Sequence, residues 1–99
     1  MILERMVQKI NPLKWGELEE LDKQYNALEA RFGFPPKRRY RVLFGNEDTS
    51  TLVIEREWES FAAMEAAHMQ SMTDPEFERL NAAGADIVLS NNWEAYMVI

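Results

Sequence analysis

The sequence predicts an α+β fold: one four-stranded antiparallel sheet with its helices on a single face. Three observations lead there. Two stretches place apolar residues at alternating spacings of three and four, as a one-sided helix requires, and three others alternate apolar with polar residues, as a half-covered strand requires. The resulting order is strand, helix, strand, strand, helix, strand. At 99 residues, 46% hydrophobic and 28% charged, the chain has ordinary globular usage and length for a single domain spanning 1–99.

The first element, Ile2 to Ile10, runs in doublets (Ile2-Leu3, Glu4-Arg5, Met6-Val7, Gln8-Lys9), so both of its faces carry apolar groups. That pattern predicts a central strand covered on both sides. Asn11-Pro12 then predicts a helix start, because asparagine can cap an orphan amide and proline loses nothing at the first helical position. Leu18, Leu21, Tyr25, Leu28 and Phe32 form the helix stripe, with Glu17, Glu19, Glu20 and Glu29 expected on a solvated face. Gly33 suits the left-handed position after a helix, and Pro35-Pro36 forbids continuation.

Lys37 to Phe44 and Thr51 to Trp58 are two alternating strands joined by the polar linker Gly45 to Ser50, a hairpin. Pairing Phe44 with Leu52, Val42 with Ile54 and Tyr40 with Arg56 sets Arg41 against Glu55 and Arg39 against Glu57 on the other face. Opposed unlike charges contribute about 0.2–1 kcal/mol per pair, and they recommend this register. Glu59 or Ser60 opens a helix from Phe61 to about Met72, and Asp74-Pro75 restarts a shorter one carrying Phe77 and Leu80 that ends near Gly84. Asp86 to Ile99 closes the chain as a strand with Ile87, Leu89, Trp93, Ala95, Met97 and Ile99 on one side.

The β-α-β-β-α-β order folds most simply as a ferredoxin-like sheet, since right-handed crossovers place both helices on one face. The helix-free face is then expected to carry Arg39, Arg41, Leu43, Val53, Glu55, Glu57, Ser90, Asn92, Glu94, Tyr96 and Val98. Its mixture of balanced charge and sizeable apolar groups suits a homodimer interface, and a chain this short forms a thin core that gains from a partner.

Composition removes several function classes. Eleven basic against seventeen acidic residues, a net charge of −6, disfavour nucleic acid and anionic membranes, and the short apolar runs give no membrane span. Without cysteine there is no thiolate nucleophile, zinc knuckle or iron–sulfur cluster, and one histidine makes no multi-histidine metal site. No cofactor or metal is expected, and the cytoplasm is the expected location.

The chemistry-bearing residues converge on the helix-facing side of the sheet. His68 continues the stripe of Phe61 and Met64 and can act as an acid or base, because histidine as a residue type changes protonation near neutrality. A core-edge imidazole bonded to a neighbour suits the same position. With Tyr40 and Arg56 it forms the expected catalytic group, while Trp58, Asn91, Trp93 and Met64 are expected ligand-binding walls: aromatic rings and thioethers supply apolar area and a few polar groups orient the ligand. If Tyr40, Trp58 and Arg56 are instead packing residues, the site disappears. The basic run Lys37-Arg38-Arg39-Arg41 is expected to be a salt-bridged sheet face rather than an anion site.

Glu57-Trp58-Glu59-Ser60 leaving a strand into a helix, followed by Met72-Thr73-Asp74-Pro75-Glu76-Phe77, resembles the NIPSNAP-like branch of the dimeric α+β barrels. The resemblance is clearest over Arg38 to Leu80. It implies two sheets facing one another in a shared barrel, with ligands between helices and sheet, among relatives that include haem-degrading and quinol monooxygenases and small isomerases. The haem-degrading relatives carry a histidine ligand where this chain has Leu80 and Asn81, so haem degradation does not transfer. The expected function is a homodimeric barrel protein binding a small, partly apolar molecule, with cofactor-independent oxygenation or isomerisation as its chemistry. The rival class is a non-enzymatic dimeric accessory module.

Overall fold

A computed structural model describes all residues, 1–99. Strand β1 (Ile2–Ile10) runs through the middle of the sheet between β3 (Thr51–Trp58) and β4 (Val88–Met97), and β2 (Lys37–Arg41) forms the far edge beside β3. All neighbours are antiparallel. Helices α1 (Trp15–Arg31), α2 (Phe61–Met72) and α3 (Pro75–Ala83) share one face, giving the ferredoxin-like order with its second helix split in two. None of the helices is long and apolar enough to cross a membrane.

The split has a local cause. Ser60 Oγ accepts from Ala63 N and starts α2, then Asp74 Oδ2 accepts from Glu76 N and Phe77 N and starts α3 with Pro75 in its first turn. Two capping side chains fourteen residues apart thus make two helices from one apolar stripe. The main core lies between α1, α3 and the sheet: Ile10, Leu18, Leu21, Leu28, Leu52, Ile54, Phe77, Leu80 and Ile87. A smaller cluster of Trp58, Met64 and Ala67 lies under α2.

Two features differ from expectation at the first helix and its edge strand. Asn11 Oδ1 accepts from Leu13 N in a turn ahead of the helix, while its Nδ2 donates to the Asp86 carbonyl, so the asparagine ties the chain to the approach to β4 and α1 begins only at Trp15. Strand β2 stops at Arg41, leaving Leu43 and Phe44 exposed in the loop before β3.

The β2–β3 register is also different. Arg39 opposes Ile54, Tyr40 opposes Val53 and Arg41 opposes Leu52, three residues away from the charge-paired alternative. An odd shift turns the strand over, so Lys37, Arg39 and Arg41 face the helices and Tyr40 faces the helix-free side. Helix α1 decides this. Lys37 Nζ lies 2.6 Å from Asp22 and 3.2 Å from Glu29, Arg39 lies 2.9 Å from Glu19, and the Arg41 guanidinium sits 4.1 Å from the Trp15 ring centroid. Hydrogen bonds to charged groups contribute about 1.5–3 kcal/mol where partly buried, which exceeds the cross-strand pairs forgone. Glu29 is accordingly sheltered rather than solvated.

Candidate functional site

Glu4 is the organising residue of the helix-facing side. It stands in the central strand between Arg56 of β3 and Ala95 of β4, and is 1% exposed. Its carboxylate collects three hydrogen-bond donors and one more distant cation from three elements. Oε1 accepts from Trp58 Nε1 at 2.9 Å and lies 3.9 Å from Arg56 Nη1; Oε2 accepts from Trp93 Nε1 at 2.6 Å and from His68 Nε2 at 2.5 Å. Burial pushes the Glu4 carboxyl up, but the hydrogen bonds from His68 and Trp58, the charge of His68 and the bond from Trp93 outweigh it, leaving it below the ordinary carboxylate value. It is an anion at neutral pH.

His68 comes from the third turn of α2 and is walled by Phe34, Trp93 and Trp58, at ring-centroid distances of 5.1, 5.1 and 5.9 Å. With Nε2–H donating to Glu4, Nδ1 is the ring position left to exchange a proton with a ligand. A histidine fixed in one tautomer by a buried carboxylate is the arrangement that proton-accepting sites use.

Beside this dyad a cavity of about 400 Å³ opens between α1, α3 and the sheet. Its body is apolar, with Met6, Leu18, Leu21, Leu52, Ile54, Phe77 and Val88, and His68, Arg56, Gln8 and Asn91 reach its wall. The Arg56 guanidinium is 2% exposed: Nε donates to the Pro35 carbonyl at 3.1 Å, Nη2 to Glu29 at 2.5 Å, and its face lies 5.0 Å from the Phe34 ring centroid, while Nη1 lies 3.9 Å from Glu4. Arg56 therefore compensates the charges of Glu4 and Glu29 from the cavity wall. Tyr25 donates to Asn81 at the same wall, and burial followed by the charge of Glu29 pushes its phenol up to about 12.

Of the residues expected to form the site, His68, Arg56 and Asn91 line the cavity. Trp58 and Trp93 do not; their indole N–H groups hold Glu4, and their rings wall His68. Met64, 1% exposed, is core. Tyr40 is on the opposite face because of the register described above, and takes no part. Glu4 and Gln8 were the unrecognised members. Their signal was present: both share the even positions of β1 with Ile2, Met6 and Ile10, and a carboxylate on such an apolar, helix-covered strand face must have partners. No group of three or more His, Asp or Glu side chains is arranged to hold a metal ion.

The single antiparallel sheet with a split second helix defines a ferredoxin-like α+β domain. The solved structures that share this fold include NIPSNAP domains. A NIPSNAP family protein from Agrobacterium tumefaciens superposes with a TM-score of 0.82 at 14% identity, covering 99% of this chain and 92% of that one. An uncharacterized NIPSNAP domain protein from Burkholderia xenovorans gives 0.74 at 13% identity, covering 100% and 95%. An antibiotic biosynthesis monooxygenase gives 0.70 at 14%, covering 100% and 99%. These likenesses establish the fold. No protein-family model matches the chain, and no curated protein matches it in sequence.

Proposed function

We propose that this protein binds a small, partly apolar molecule between helices and sheet, and that His68 accepts a proton from it. The observation that carries the reading is the adjacency of a largely apolar cavity to a histidine whose tautomer is fixed by a buried carboxylate. A substrate with an acidic O–H or C–H, such as a phenol or an enolisable ketone, would lose its proton to Nδ1. Returned to another atom, the proton completes an isomerisation; in the presence of dioxygen the same anion is the species that a cofactor-independent oxygenase oxidises. The likeness to an antibiotic biosynthesis monooxygenase supports that chemistry. Tyr40 has no role in it.

Hydrogen–deuterium exchange tests the proton step. Across a panel of β-dicarbonyl compounds in deuterated buffer, followed by NMR, the protein is expected to accelerate exchange at the acidic carbon, and His68→Gln to lose about 10²–10⁴-fold of that acceleration. Unfolding of the variant is measured alongside. Full exchange activity in a folded His68→Gln protein would refute the assignment.

The functional unit in this reading is a homodimer through the helix-free face. Leu3, Val7, Tyr40, Val53 and Tyr96 lie there among Arg5, Lys9 and Arg38 and an equal number of acids, Glu55, Glu57 and Glu94. Two such faces can meet without net repulsion. Val7→Glu, in the middle of that face on β1, is expected to shift the sedimentation coefficient from dimer to monomer at micromolar concentration. An unchanged dimer would place the interface elsewhere.

A further inference from the structure

The hydrogen-bonding groups on the cavity wall are nearly all spoken for. The charged side chains are ion-paired as described, Tyr25 donates to Asn81, and Ser71 donates to the His68 carbonyl. Gln8 and Asn91 are the two polar side chains on the wall that make no hydrogen bond at all. They are directly opposed in the β1–β4 register, both on the helix-facing side, both on the cavity wall, and neither side-chain amide has a partner within the protein. Asn91 is exposed on the edge strand.

We propose that Gln8 and Asn91 are specificity-determining residues that hold the far end of an elongated, uncharged ligand whose near end meets His68. The inference rests on the cavity reading above and adds the ligand's charge, length and polar ends. No cation or anion on the wall lacks its counter-charge, so a charged ligand would meet no compensation there, whereas a carboxamide both donates and accepts and suits a hydroxyl or carbonyl. Length follows from the strand. Gln8 is four residues beyond Glu4, the residue that holds His68, a separation of about 13 Å at the strand rise. The side chains and a hydrogen bond of about 2.8 Å at each end take up part of that backbone separation, so a ligand bridging the two ends has its polar atoms several ångströms apart. Two fused six-membered rings bearing oxygen at opposite ends have that span.

Two probes separate the parts of this claim: naphthalene-2,6-diol, with oxygen at both ends, and 2-naphthol, with oxygen at one. By titration calorimetry the diol is expected to bind wild type about tenfold more tightly. In Asn91→Leu, and in the double variant Gln8→Leu with Asn91→Leu, that preference is expected to fall to about twofold while 2-naphthol binds as before. Asn91→Leu sits on an exposed strand position, which keeps the test available if the double variant does not fold. Equal binding of the two probes to wild type, or a preference that survives in Asn91→Leu and the double variant, overturns the anchor and leaves the cavity reading standing. Binding of neither probe to wild type overturns both.

Discussion

Replacing Glu4 by leucine is expected to remove about 3–5 kcal/mol of folding stability, a large share of the total for a domain of this size. The side chain is 1% exposed and receives Trp58, Trp93 and His68, with Arg56 at 3.9 Å. Leucine fills the space and supplies no acceptor. Two indole donors and an imidazole donor are then left without their partner, and Arg56 keeps only Glu29 and the Pro35 carbonyl. The melting temperature is expected to fall by more than about 15 °C. Glu4→Gln should lie between the two: its carbonyl oxygen still accepts, but its amide hydrogens face other donors. A Glu4→Leu protein as stable as wild type would mean that the network contributes nothing to folding.

The same carboxylate gives a pH signature. Because the folded-state pKa of Glu4 is depressed, its stabilisation is fully present above the unfolded value near 4.5 and is lost as pH falls through the lower folded value. Urea midpoints measured from neutral pH down to about 3 should therefore decline less steeply in Glu4→Gln than in wild type. Parallel declines would assign the acid sensitivity to other carboxylates.

What was legible in the sequence depended on whether an element's partners lay within it. Helix α2 could be placed at Phe61–Met72 because Ser60 caps it and Asp74 restarts the chain, both local events. Strand β1 could be placed because its doublets put apolar residues on both of its faces. The register of β2 was not legible. Arg39 and Arg41 find acids on β3 in one register and acids or an indole on α1 in another, and only burial against α1 separates the alternatives. That ambiguity passed directly to the site. Arg56 and His68 sit on elements whose facing was fixed, so both line the cavity as the sequence places them; Tyr40 sits on β2, and the odd shift carried it to the other face. Glu4 went unrecognised for a different reason. Its importance comes from the convergence of Trp58, His68 and Trp93, residues 54 to 89 positions away, and no local spacing encodes that meeting.

Glu29→Leu tests whether the charge cluster at the other side of the cavity is a structural unit. Glu29 accepts from Arg56 Nη2 at 2.5 Å and from Lys37 Nζ at 3.2 Å, and those cationic side chains are only 2% and 9% exposed. Removing the acid leaves Lys37 with Asp22 at 2.6 Å and Arg56 with Glu4 at 3.9 Å. Each buried cation keeps one counter-charge, so the expected loss is about 3 kcal/mol, at the lower end for breaking a buried pair. Glu20→Leu is the matched control, because Glu20 pairs only with Lys23 on the exposed side of the same helix and its removal should change stability by no more than about 0.5 kcal/mol. A second readout is independent of stability. Glu29 contributes to the raised Tyr25 phenol, after burial, so spectrophotometric titration of Glu29→Leu should find that phenol ionising below its value of about 12. If Glu29→Leu and Glu20→Leu are equally stable and the Tyr25 titration does not move, the cluster is not the electrostatic unit that fixes β2 against α1, and the register must rest on packing alone.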